Sequence, residues 1–158
     1  MELACVAPSP LGTTALTIPG TQTAIDWPVQ VLLVEDNTEA AWLVQTCLTA
    51  EEGQQFRVEW TQNLREAMNR LAQPGIEVVL LDLGLPELDG YLSCRAIDAA
   101  AQGKVPIVIL TSDSRSVTKN LTVGFGASDY LMKDGISPQQ LRESLLAAIR
   151  RGRPAKIA

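Results

Sequence analysis

Histidine is absent from this chain of 158 residues, and cysteine is scarce, at 3. Without imidazole there is no Ser-His-Asp or Cys-His pair to activate a nucleophile, and no usual zinc site. Cys5, Cys47 and Cys94 are widely scattered with no metal-ligand spacing. An odd, spread-out set of thiols fits a reducing cytoplasm better than a secreted disulfide scaffold, and Cys47 and Cys94 read as small buried apolar residues. No apolar run approaches the ~20 residues that span a bilayer. The start of the chain lacks the basic and apolar regions of a signal peptide, and Leu3-Ala4-Cys5 without them is a poor lipoprotein signal. The expected location is the cytoplasm, with no membrane partner. Basic residues are outnumbered, 13 against 18 acids, for a net charge of −5. Such a surface does not displace counterions from a phosphate backbone, so direct nucleic-acid binding is not expected.

What is present is the material of one soluble domain, 46% hydrophobic and 20% charged. Residues 1–27 are rich in Thr, Pro, Gly and Ala and carry no sustained periodicity, which reads as a flexible N-terminal extension. The ordered domain is expected over 28–150. Residues 151–158 continue a basic stretch around Gly152 and Pro154, a frayed tail or a linker.

Within the domain, apolar strands alternate with helical patterns. Strands are expected near 29–34, 56–60, 77–81, 107–110 and 129–132. The first helix, about 38–51, has a stripe of Ala40, Leu43, Val44, Cys47 and Leu48, with Asn37 or Thr38 as its cap. The second opens on the capping-box-like Asn63-x-x-Glu66, buries Leu64, Ala67, Met68 and Leu71, and stops at Pro74-Gly75. A third runs from Asp89 to near Gly103. A fourth, about 115–124, holds Val117, Thr118, Thr122 and Val123, β-branched residues that weaken it. The last has Ser137 as cap, Pro138 at its first position, and Leu141, Leu145, Ala148 and Ile149 inward. Five βα units with near-continuously apolar strands predict a parallel sheet covered on both faces, a three-layer α/β sandwich.

The strand ends carry the chemistry. The first expected strand runs into Glu35 and Asp36, and the third runs into Asp82. Functional groups in such sheets gather beyond the carboxyl ends of the strands. Acids meeting there form an anionic pocket that resists full ionisation until a cation fills it. The pattern suits a divalent metal beside one reactive aspartate.

Glu35-Asp36, Asp82, Thr111 and Lys133 stand after successive strands. They are joined by Asp82-x-x-x-Pro86-x-x-Asp89-Gly90 and Gly126-Ala127-x-Asp129-Tyr130-Leu131-x-Lys133. Together these resemble the receiver domain of two-component response regulators, over about residues 29–150. The resemblance implies a flavodoxin-like fold with five helices and strand order 2-1-3-4-5. It implies Asp82 as phosphoacceptor, with Mg2+ held by Glu35, Asp36, Asp82 and the Gly84 backbone carbonyl. Thr111 and Lys133 would contact the phosphoryl oxygens, and Thr111 with Tyr130 would form the switch. This chemistry is consistent with the residue types: an aspartate carboxylate can attack phosphorus, and magnesium favours a few carboxylates plus phosphate oxygens. The histidine that the chain lacks would be the partner's. The implied donor is a sensor histidine kinase or a histidine phosphotransfer protein. The implied output is a downstream protein, or a second copy, on the face of the fourth helix, fifth strand and last helix. On the first helix, Trp42 and Gln45 are candidates for docking the donor. Such a domain is a signalling module that assists its own phosphotransfer and dephosphorylation, not an enzyme in the ordinary sense.

Two positions depart from the family pattern. Asp134 replaces the proline that usually follows the lysine, making a trans bond the default. Gly84 stands where many relatives place a polar side chain that influences hydrolysis. Rival readings fare less well. A flavodoxin-like nucleotide or flavin binder needs a Gly/Ser/Thr-rich loop after the first strand, where Glu35-Asp36 would repel phosphate. A haloacid-dehalogenase-like phosphatase usually has a second acid where Gly84 stands. A docking-only pseudo-receiver would not need the full set of chemical groups. The chain would be either a stand-alone receiver or a module cut from a hybrid kinase or longer regulator.

Overall fold

Val29–Val34 (β1) is apolar except at Gln30, and it is buried on both faces because it lies inside the sheet. A computed structural model of the chain describes residue 25 and residues 27–50, 55–86, 90–112 and 127–152. The other strands are Phe56–Thr61 (β2), Val78–Asp82 (β3), Ile107–Thr111 (β4) and Ala127–Met132 (β5). They form one five-stranded sheet in the order β2-β1-β3-β4-β5, and every pairing is parallel. β3 and β4 are fully buried, whereas the edge strands β2 and β5 are half-exposed. Sequence hydrophobicity follows this placement, being continuous inside and mixed at the edges.

The described helices are Thr38–Thr49 (α1), Leu64–Leu71 (α2), Gly90–Ala100 (α3) and Pro138–Gly152 (α4). One core layer joins α1 and α4 to one face of the sheet, through Val44, Leu48, Leu141 and Leu145 against Val31, Leu33, Leu80 and Val108. The other joins α2 and α3 to the opposite face, through Leu64, Ala67, Cys94 and Ile97 against Leu32, Val79, Leu81 and Ile109. Alternate residues of each central strand serve alternate layers, as period-2 geometry requires. The helix expected over 115–124 lies outside the described residues, as do 1–24.

Side chains fix the helix starts. Asn37 Oδ1 accepts the Ala40 N–H at 2.8 Å, and Asn63 Oδ1 accepts the Glu66 N–H at 2.9 Å. Ser137 and Gln140 close a reciprocal box, each side chain accepting the other's backbone N–H at 3.0 Å. α3 ends at Ala100, earlier than expected, where Gln102 and Gly103 take φ of 57° and 67° and the Gly103 N–H returns to Asp98 O. α4 continues through Gly152, so Arg150 and Arg151 occupy its last turn, and Arg151 Nη2 donates to Ser128 O at 2.9 Å.

The inner stripe of α1 differs in phase from the expected one. Ala41, Val44 and Leu48 are buried, while Leu43 is 57% exposed. The Asn37 cap and the fit against β1 and α4 set the rotation of this helix, and they turn Leu43 outward beside Trp42. In α2, Met68 likewise is exposed, and the buried pair is Leu64 and Ala67. Leu71 also packs on this layer, so the helix meets the sheet through positions i, i+3 and i+7 and turns the i+4 position, Met68, outward. Leu48→Ala should lower stability by about 2–5 kcal/mol. Leu43→Ala should change it by no more than about 0.5 kcal/mol. Urea denaturation of the two variants checks the phase, and equal losses would restore the stripe centred on Leu43.

Candidate functional site

Parallel strands bring their carboxyl ends to one edge, and the acids meet there. Glu35 directly follows β1 and is 1% exposed. Its N–H extends the sheet ladder to β2, donating to Thr61 O at 3.1 Å, and its carbonyl accepts a side-chain donor, Trp60 Nε1–H, at 2.8 Å. Its carboxylate is held as firmly. Oε1 accepts the Asn37 N–H at 3.1 Å, and Oε2 accepts Lys133 Nζ at 2.7 Å.

Asp82 is the last residue of β3 and is 5% exposed. Its Oδ1 accepts the Gly84 N–H at 3.0 Å and lies 3.3 Å from Lys133 Nζ. Asp36 is exposed, yet one carboxylate oxygen each from Glu35, Asp36 and Asp82 can be chosen within 4.8 Å of one another. Lys133 follows β5, and its N–H donates to the carbonyl of buried Thr111 at 2.7 Å. β4, which Thr111 ends, lies between β3 and β5.

The electrostatics follow from this crowding. Burial pushes the Glu35 carboxyl up to about 7, and neighbouring Asp82 adds to the rise against the pull of the Lys133 ammonium. Burial opposes the charge on Lys133, but its bond to Glu35 and the charge of Asp82 overcome this and hold its pKa above the usual lysine value. All three acids offer hard oxygen donors, a set suited to magnesium or calcium rather than to softer metals.

Glu35, Asp36, Asp82 and Lys133 thus converge, with Gly84 and Thr111 in the adjoining loop and strand. A Cβ added to Gly84 would stand 3.4 Å from Asp82 Oδ1. Tyr130, three residues before Lys133, is half-buried against the α2/α3 layer. The Lys133–Asp134 peptide is trans, as the missing proline predicts. Trp42 and Gln45 lie on α1, and only Trp42 is exposed. Trp42 is 62% exposed and lines a shallow apolar depression with Thr38, Glu39 and Leu43. Gln45 is half-buried and its Nε2 donates to Ala41 O at 3.2 Å. Trp60 escaped the sequence reading, which treated it as a strand residue only. The available signal was a large aromatic ending the strand that the 2-1-3 order places beside Glu35.

The model of the response regulator receiver domain matches residues 31–146. The chain belongs to that family of signalling domains. It is 35% identical over 130 residues to a protein-glutamate methylesterase/protein-glutamine glutaminase of Nocardioides, covering 77% of this chain and 35% of that protein. It is 30% identical over 129 residues to the response regulator ArlR of Staphylococcus aureus, covering 80% of this chain and 55% of ArlR. The chain therefore spans well under two thirds of these relatives. A CheY-like receiver domain protein from Methanospirillum hungatei superposes with a TM-score of 0.67 at 18% identity, covering 78% of this chain and 95% of that one. The expected receiver fold and strand order hold. No helix among the described residues is long and apolar enough to cross a membrane.

The Glu35 shift carries a sign. An unfolded glutamate titrates near 4.5 and the folded one near 7, so the folded state binds more protons between these values. The stability this contributes is complete below the unfolded value and is lost as pH rises through the folded one. With a chelator present, the thermal midpoint should fall between about pH 5 and pH 7.5, and Glu35→Gln should flatten that fall. An unaltered slope in the variant would show that Glu35 ionises normally.

Proposed function

We propose that the chain accepts a phosphoryl group on Asp82 from a phosphohistidine donor, and that this modification switches a protein-binding surface. The observation that carries the reading is the convergence of three carboxylates within 4.8 Å, with Lys133 Nζ 3.3 Å from Asp82 Oδ1. A carboxylate triad of this kind fits Mg2+, with Glu35, Asp36 and Asp82 as ligands and the Gly84 carbonyl as a further oxygen donor. When bound, the ion would offset the mutual repulsion of the acids and the incoming phosphoryl group.

The remaining chemistry falls to the chain's own side chains. An Asp82 carboxylate oxygen attacks phosphorus; the new O–P bond forms as the N–P bond to the donor imidazole breaks. The electron pair leaves with the imidazole nitrogen, so no general base on this chain is needed. The Gly84 N–H and Lys133 orient Asp82 beforehand through Oδ1. Lys133 and the Thr111 hydroxyl then stabilise charge on the transferring oxygens. Hydrolysis of the acyl phosphate by water would return Asp82 to its starting state, and the pocket would assist both steps.

Thr111, at the end of β4, and Tyr130, on β5, would couple occupancy of the pocket to the outer surface. Of the output face expected from the sequence, β5 and α4 are described, and either a downstream protein or a second copy would read them. A sensor histidine kinase or histidine phosphotransfer protein would supply the phosphoryl group, in the cytoplasm. The same reading holds whether the chain works alone or as the receiver of a longer regulator.

Acetyl phosphate with Mg2+ should add one labile phosphoryl group, detectable by mass spectrometry, and Asp82→Asn should add none. Undiminished incorporation in the variant would remove Asp82 from the role. The exposed Trp42 and Leu43 pair on α1 offers a docking point for the donor. Trp42→Ala should slow transfer from the phosphohistidine donor severalfold while leaving acetyl phosphate incorporation unchanged. Equal slowing with both donors would indicate damage to the pocket rather than to docking.

A further inference from the structure

The Glu35 backbone is anchored from β2 in two ways, and only one belongs to the ordinary parallel ladder. The Glu35 N–H bonds to Thr61 O at 3.1 Å, continuing the β1–β2 pairing one residue beyond Val34 and Thr61. The Glu35 carbonyl instead accepts a side-chain donor, the Trp60 indole N–H, at 2.8 Å. Glu35 is 1% exposed, so a carbonyl deprived of that donor would be left desolvated, which costs more than a neutral exchange of partners. Trp60 is itself half-buried and packs against the layer formed by α1 and α4. The ring is thereby held on one side by core contacts and on the other by the carbonyl.

Glu35 is also where the chain leaves β1 for the loop that supplies the acids and caps α1. Its Oε1 receives the Asn37 N–H at 3.1 Å, and Asn37 Oδ1 in turn receives the Ala40 N–H at 2.8 Å. A change at the Glu35 carbonyl would therefore rotate the peptide joining Glu35 to Asp36 and disturb both carboxylates. Geometry errors of this kind weaken magnesium binding in particular, because the ion demands near-ideal octahedral coordination. Outer hydrogen bonds that orient ligands are a recognised determinant of metal affinity.

We propose that Trp60 is a positioning residue for the cation site, its indole N–H fixing the Glu35–Asp36 peptide so that both carboxylates face a divalent ion. The proposal rests on the reading of Glu35 and Asp36 as magnesium ligands. Trp60→Phe keeps a ring for core packing and removes the donor. By calorimetry, the variant should bind Mg2+ roughly 10-fold more weakly, within the ~10–100-fold range of lost outer partners. Acetyl phosphate incorporation should then show a raised half-saturating Mg2+ concentration, with the rate at saturating Mg2+ near that of the unaltered chain. A purely structural role would lower the saturated rate or the folded fraction instead. A second measurement uses the unaltered protein, should the variant fold poorly. The Trp60 indole N–H signal in a proton–nitrogen NMR spectrum should move during Mg2+ titration with the same midpoint as the calorimetric binding. Unchanged affinity in Trp60→Phe, or an indole signal that does not respond while the ion binds, would overturn the positioning role alone. Failure of the unaltered chain to bind Mg2+ at all would overturn the cation-site reading and, with it, this inference.

Discussion

Lys133 Nζ lies 2.7 Å from Glu35 Oε2 and 3.3 Å from Asp82 Oδ1, so one ammonium is shared by two buried acids on different strands. Burial disfavours the charged form of Glu35, neighbouring Asp82 adds to this, and the shared ammonium pulls the other way. β5 stands three places from β1 in the sheet, roughly 14 Å at about 4.8 Å per strand. That gap is bridged above β3 and β4 by two long side chains, a lysine from one end and a glutamate from the other. Lysine suits this position because it is a compact point charge on a flexible stem and can serve several oxygens in turn. The pocket therefore depends on the order of the strands as much as on the residues at their ends.

The same constraint explains why so much of the core is invested in the central strands. β1, β3 and β4 must hold their carboxyl ends in fixed register if carboxylates from separate strands are to meet. Continuous apolar runs buried on both faces achieve this, and Leu33, Leu80 and Leu110 serve one layer while Val34, Leu81 and Ile109 serve the other. The half-exposed edge strand β2 then adds what backbone pairing does not supply, a side-chain donor to the Glu35 carbonyl. A buried polar cluster is costly wherever a member lacks a partner, and Glu35 meets this cost with bonds to both backbone groups and both carboxylate oxygens.

Legibility from sequence divided along physical lines. The strands were legible because interior strands are apolar without interruption, and the caps because Asn37, Asn63 and Ser137 stand before helical periodicity. The acids were legible as a set, because Glu35-Asp36, Asp82, Thr111 and Lys133 follow successive strands in order, whereas each alone reads as a cap or a surface residue. The phase of α1 was not, since Ala40, Leu43 and Leu48 are all apolar and a weakly amphipathic helix can be rotated with little change in apparent pattern. The difference between Trp42 and Gln45 was hidden for a related reason. Helical spacing gives the direction of a Cβ, whereas Gln45 folds its amide back onto Ala41 O. Trp60 could not be found from local pattern, because its role arises only when β2 pairs with β1 and two residues separated by 25 positions touch.

Gly84 stands beside the buried acid. A Cβ there would approach Asp82 Oδ1 to 3.4 Å, an ordinary contact, and the position is exposed. Steric necessity therefore does not dictate glycine. Its effect is instead to leave the approach to Asp82 without a side chain, while its N–H still holds Oδ1 at 3.0 Å. Orientation of the carboxylate thus comes from backbone and from Lys133, and the space beside it is left open. A pocket made this way separates two requirements that a polar side chain at the same position would combine: it fixes the acid without covering it. Half-buried Lys133 ties buried Glu35 to buried Asp82 from below, and the exposed Asp36 and Gly84 leave the outer side open to solvent.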